Sequence, residues 1–159
     1  MKLFSTFIFS IFFLTACMNG INPKEHVGEI YRLALDEMMG KDTALNSHMK
    51  YIAIDLGNFV ELNEQDKKEI FRFFEKKYKV KVMEASFAEL KEKGLYNPDT
   101  MVLDGVLLKL DKVSFKFNKN ILFEGSKYRS GTGAIGIEIT VYYKDGKWQI
   151  KESEMTWIS

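Results

Sequence analysis

Few side chains in this sequence combine a reactive type with a useful spacing. Cys17 is the single cysteine, a nucleophilic thiol with no second thiol to pair with inside the chain. His26 and His48 are the only histidines. Neither has a zinc-type ligand partner three or four residues away, so metal sites and Ser-His-Asp or Cys-His catalysis have almost no material. Asp55 closes the apolar run Tyr51-Ile52-Ala53-Ile54, where an α/β ligand site would put a carboxylate. In an apolar cavity it could serve as a general base, and it is equally placed to hold the backbone of a Gly57-Asn58 turn. Lys127, Tyr128, Arg129 and Ser130 run into Gly131-Thr132-Gly133, a loop whose backbone N–H groups could hold a carboxylate or phosphate. Alternation puts Lys127 and Arg129 on one face and Tyr128 and Ser130 on the other, and the competing expectation is a solvated strand edge.

Two further patterns need weighing. Gly131 to Gly136 spell G-x-G-x-x-G, but a dinucleotide site requires a helix directly afterwards, and Ile137 to Tyr143 is strongly β-forming. The glycines are therefore expected to relieve a tight or bulged connection. Glu152 and Glu154 share a strand face, and Trp148 and Trp157 are positioned to line a pocket; such carboxylates more often serve solubility and such rings the core. No metal ligand set and no cofactor motif emerges.

Cys17 gains meaning from what precedes it. Lys2, the apolar run Leu3 to Leu14 and the small residues Thr15 and Ala16 follow the order of an export signal. A membrane-spanning helix needs about 20 apolar residues, so the run is short for an anchor. Leu14-Thr15-Ala16-Cys17 resembles the lipobox of bacterial lipoproteins, which implies cleavage after residue 16 and a diacylglyceryl thioether on Cys17. Two acyl chains, at about 0.8 kcal/mol per buried CH₂, anchor stably. Residues 17–22 then form a lipidated tether and 23–159 a single domain held at the extracytoplasmic side of the cell membrane. Loss of the leader takes one cation, Lys2, from 23 Lys and Arg, leaving 22 against 22 acidic residues. Such a balance carries no electrostatic footprint for nucleic acid.

The elements that would position these residues follow from periodicity. Asn22-Pro23-Lys24-Glu25 predicts a helix start, with Val27, Ile30, Tyr31, Ala34 and Met38 as its apolar stripe and Gly40 its end. Tyr51 to Leu56 reads as a strand, Asn63 to Tyr78 as an aromatic-rich helix, Lys79 to Met83 as a strand, and Ser86-Phe87-Ala88-Glu89 as a capping box for a short helix stopping at Gly94. From Gly105 the period becomes two. Val106–Phe117, Ile121–Ser130, Ala134–Lys144 and Lys147–Ile158 predict four strands, with Asp145-Gly146 the strongest hairpin signal. The first and last of these change parity midway, which requires a bulge or bend.

The expected fold is α+β: N-terminal helices packed on a curved, mostly antiparallel sheet that ends in a four-stranded meander. A twice-bent meander around helices resembles the cystatin/NTF2-like class, while the Ile52 strand, Ile70 helix and Val80 strand are equally compatible with a βαβ unit beside the meander. Tyr-Ile-Ala-Ile-Asp at Tyr51, Glu-Gly-Ser-Lys-Tyr-Arg-Ser-Gly from Glu124 to Gly131, and the terminal Trp-Ile-Ser are similar to a group of bacterial lipoproteins without an assigned activity. The functional expectation is a non-catalytic module that binds a small ligand or an envelope protein. A small envelope enzyme or accessory subunit using a pocket carboxylate is the alternative, and an immunity or inhibitor protein a further one.

Overall fold

The computed structural model describes residues 21–57, 62–116 and 119–159; the leader and Cys17 lie outside them. Helix α1, Val27–Gly40, buries the predicted stripe of Val27, Ile30, Tyr31, Ala34 and Met38, and with it Leu35 and Met39. It begins later than Pro23. Pro23–Glu25 form a separate 3-10 turn whose N-cap Asn22 accepts the Lys24 N–H, and His26 then leaves helical dihedrals. Helix α2, Glu64–Tyr78, starts on a capping box in which Asn63 and Asp66 satisfy each other's backbone N–H groups. Its buried residues are Ile70 and Phe74. Lys77 and the Tyr78 hydroxyl both reach Asp36 of α1, at 2.6 and 3.0 Å, and clamp the two helices. Burial and the neighbouring Asp36 carboxylate push the Tyr78 pKa up.

Strand β1, Tyr51–Asp55, pairs in parallel with β2, Lys81–Glu84, so β1-α2-β2 is a parallel crossover unit. Strand β2 starts two residues after the predicted Lys79 because that residue is the left-handed C-cap of α2, with φ 59°. Helix α3, Phe87–Glu92, carries the Ser86/Glu89 capping box. Strand β3, Tyr96–Asn97, is a short antiparallel addition with no counterpart among the predicted elements. Strand β4, Val102–Phe115, lies parallel to β1 and antiparallel to β5, Ile121–Ser130. Strands β6, Gly133–Lys144, and β7, Lys147–Ile158, complete the meander. Asp145 and Gly146 both take positive φ, 52° and 81°, the geometry that makes Asp-Gly a tight hairpin.

The seven strands form one sheet in the order β2-β1-β4-β5-β6-β7, with β3 on the start of β4. The class is α+β with a mostly antiparallel sheet. Helices α1 and α2 cover one face, where Ile52, Ile54, Val106, Leu108, Leu110, Phe123, Ile137, Ile139, Val141 and Trp148 join the main core. On the second face a smaller cluster of Tyr51, Ala53, Ala85, Leu90, Leu103 and Leu107 packs with Phe87, Tyr96 and Tyr128. That cover reaches no farther than Tyr128 of β5, so the second face of β6 and β7 is uncovered among the described residues. Both parity changes correspond to bulges. In β4 the register shifts between Leu110 and Lys112; in β7 it shifts opposite Thr140/Val141 and again opposite Gly136/Ile137. The second β7 shift sets Met155 opposite Ile137 and Trp157 opposite Gly136, so these two residues do not share a face as simple alternation predicts.

Candidate functional site

Lys127 is the residue most changed by folding. The solvated-edge expectation fails for it, since the side chain is 0% exposed. Its Nζ donates to the carbonyl oxygens of Met39, Lys41 and Asp42 at 3.1, 2.6 and 3.1 Å. Helix ends leave carbonyls without intrahelical partners, and a cation there also meets the negative end of the helix dipole. An ammonium has three donors. All three are spent on the end of α1, which leaves Lys127 none for a ligand anion. Burial pushes its pKa down to about 8, with Asp42 pulling part of the way back.

The neighbouring residues disperse. The β5–β6 register passes from Tyr128↔Ala134 to Ser130↔Gly133, so Arg129 is the extra residue of a bulge and the alternation that would set it beside Lys127 is broken. The Ser130 hydroxyl and Leu45 flank Gly133, on the main-core side, whereas Tyr128 packs edge-on against Phe87 in the second cluster and donates to the Met101 carbonyl at 2.8 Å. Burial raises the Tyr128 pKa. Arg129 helps lower the pKa of Asp104, after the dominant hydrogen bond and charge of Lys50; burial and the Asp104 charge raise the Tyr51 pKa, and Arg129 only opposes them in part. The Arg129 Nη1 is buried without a hydrogen-bond partner. Gly131 donates its N–H to Met101 O at 3.1 Å, and a Cβ on it would lie 2.9 Å from the Met101 methyl. The G-x-G-x-x-G stretch is thus a strand connection fitted under Met101.

Asp55 lies at the carboxyl end of β1, on a cavity of about 470 Å³ shared with Leu56, Gly57, Glu84, Ala85, Ser86 and Glu89. Its Oδ1 accepts the Gly57 N–H at 3.1 Å. The carboxylate holds the turn, and its cavity carries two further carboxylates, Glu84 and Glu89, beside Leu56 and Ala85.

A different arrangement occupies the uncovered face. The strand registers align Lys112, Glu124, Glu138 and Glu154 in one row across β4, β5, β6 and β7. Glu152 stands opposite Thr140 in the next row. Lys112 pairs with Glu124 at 2.6 Å and Lys151 with Glu152 at 3.4 Å; the Glu124 hydrogen bond and charge raise the Lys112 pKa, with Glu138 adding at longer range. Among the described residues Glu138 and Glu154 have no ion-pair partner. Glu138 lines two cavities. One, about 330 Å³, includes Thr140, Glu152, Ser153 and Glu154; the other, about 300 Å³, includes Asp111, Glu124 and Trp157. The Trp157 ring lies over Gly136, where a Cβ would meet its Nε1 at 2.0 Å, and the residue is 48% exposed. Ser153 Oγ is buried without a partner.

Glu152, Glu154 and Trp157 stand out in the sequence, but Glu138 and Glu124 do not. Placing them requires the register, and the register depends on the bulge that the parity change in β7 only announces. Among the described residues no group of histidine, cysteine or carboxylate side chains has the spacing to hold a metal ion, and no helix is long and apolar enough to cross a membrane. Comparison with protein-family models, curated proteins and solved structures finds no match to this chain.

Proposed function

We propose that the chain is a lipid-anchored extracytoplasmic lipoprotein that works as a non-catalytic protein-binding module close to the bilayer. The observation that carries this reading is the uncovered second face of β5, β6 and β7, with a carboxylate couple that has no ion-pair partner among the described residues and a half-exposed tryptophan. A sheet face left without a helix is a surface free for a partner. The anchor is supported by the Leu14-Thr15-Ala16-Cys17 spelling. Ile21 packs against the main core, and only Met18, Asn19 and Gly20 separate it from Cys17 in sequence, a reach of at most ~14 Å at ~3.5 Å per residue. A domain so tethered meets partners at or in the membrane. The bent antiparallel meander packed on α1 supports kinship with the cystatin/NTF2-like class, while the parallel β2-β1-β4 half is a departure that this kinship must accommodate.

Palmitate labelling in the host tests the anchor. The wild-type chain is expected to carry label in the membrane fraction and Cys17→Ala to carry none; a labelled Cys17→Ala protein overturns the anchor. Photocrosslinking tests the module. A crosslinker at Thr140, on the uncovered face, is expected to trap a protein-sized adduct that the same group at Arg72 of α2 does not; equal yields at both positions overturn the assignment of the face.

A further inference from the structure

Resting on the reading of the chain as a binding module, the geometry points to a lysine- or arginine-bearing segment of a protein partner as the occupant of the uncovered face. Its cation sits between Glu138 and Glu154, and its aliphatic stem lies along Trp157. The argument begins with a cost. Like charges directly opposite on neighbouring strands destabilise a sheet, yet Glu124, Glu138 and Glu154 are successive register partners. Lys112 relieves the first of them. The facing pair Glu138 and Glu154 has no ion-pair partner among the described residues, Lys112 acting on Glu138 only at longer range, so an incoming ammonium or guanidinium removes a repulsion that the free protein carries.

Shape and polarity select the same partner. The two cavities meet at Glu138, one lined by carboxylates and one ending at Trp157. Lysine and arginine join a long apolar stem to a charged head, and a cation beside a tryptophan face gains a further attraction. Aromatic and arginine side chains are the groups that concentrate at protein interfaces.

Other occupants fit less well. An anionic lipid surface or a nucleic acid would meet carboxylates of its own sign. The described residues offer no ligand group with metal spacing. A second copy joined antiparallel through β7 around Ser153 would lay Glu152 against Glu154, and the middle of that strand is already guarded by Lys41, whose Nζ donates to Ser153 O at 3.1 Å. Lysines at a sheet border are a common defence against such pairing.

The test uses the full lipidated protein in detergent and, as probe, a fluorescent decapeptide alternating lysine and valine, with its fully acetylated form as control. Wild type is expected to bind the lysine peptide, to bind the acetylated one at least ~10-fold more weakly, and to lose affinity as salt rises. Glu138→Gln with Glu154→Gln should weaken binding ~10-fold or more, while Glu75→Gln with Glu92→Gln, on exposed helix positions, should change it less than ~2-fold. The double variant removes a repulsion, so its urea midpoint should equal or exceed that of wild type, which separates lost binding from lost folding. Equal binding of the two peptides, or undiminished binding by the Glu138/Glu154 variant, overturns the inference. If the Thr140 adduct in the host also survives that variant, the module reading stands and only the cationic partner falls; if wild type gives no protein adduct, both fall.

Discussion

The ammonium of Lys127 lies 2.6 Å from the carbonyl oxygen of Lys41, and through this contact β5, the second strand of the meander, closes the end of the first helix. With Met39 and Asp42 completing its acceptors, Lys127 couples α1 to the sheet by hydrogen bonds in addition to apolar packing. Removing a donor while leaving buried acceptors exposes their full desolvation cost. Lys127→Met, which keeps most of the volume, is therefore expected to lower stability by about 2–4 kcal/mol in urea unfolding. A loss below about 0.5 kcal/mol would contradict the capping role.

The same contact sets a pH dependence. Burial lowers the folded pKa of Lys127 to about 8 from the usual 10.5, so between those values the unfolded chain binds more protons than the folded one and stability rises with pH. The contribution is complete above 10.5 and lost as pH falls through about 8. Wild-type stability minus that of Lys127→Met should therefore climb between pH 8 and pH 10, at up to ~1.4 kcal/mol per pH unit. The difference cancels the opposite drift of Lys67, Lys109 and Lys112, whose pKa values are raised by hydrogen bonds to Glu84, Asp111 and Glu124. A flat difference would show that the three carbonyls hold the charged form against desolvation.

Much of the architecture was legible because it rests on local rules. Asn63 and Ser86 announce helix starts that the structure realises as capping boxes, and Asp145-Gly146 announces its hairpin. The parity changes in β4 and β7 mark real bulges. What stayed hidden depends on register and on long-range contacts. Nothing near Lys127 in sequence indicates that α1 ends beside it, and a cation in an alternating strand reads as surface. The bulge at Arg129 has no parity signature, because Tyr128, Arg129 and Ser130 are all polar or amphipathic. The row from Glu124 through Glu138 to Glu154 joins three strands, and a shift of one residue anywhere in β7 would dissolve it.

Two glycines of the meander should respond differently to the same methyl group. At Gly125, opposite the β4 bulge, a Cβ would lie 2.4 Å from the Lys109 carbonyl oxygen, a backbone atom that cannot move without unpairing the strand. Gly125→Ala is expected to destabilise by about 2–3 kcal/mol. At Gly136 the obstacle is the half-exposed Trp157 ring, which can swing into solvent. Gly136→Ala should cost under about 1 kcal/mol while shifting Trp157 emission to the red and raising its quenching by acrylamide. Trp148, 4% exposed, provides the unshifted reference. A large loss of stability at Gly136 would mean that the ring is held in place and is not free to adjust to a partner.

Asp55 offers a clean separation between a turn-holding carboxylate and a reactive one. Its Oδ1 accepts the Gly57 N–H, and an amide oxygen can do the same, so Asp55→Asn should stay within about 0.5 kcal/mol of wild type. Asp55→Ala loses the acceptor and should cost about 1 kcal/mol. If the carboxylate only holds the turn, cellular function follows stability across the two variants, with Asp55→Asn indistinguishable from wild type. A base in catalysis would break that order: Asp55→Asn, folded and stable, would lose function as completely as Asp55→Ala. That result would move the activity to the cavity shared with Glu84 and Glu89 and away from the uncovered face of β5 to β7.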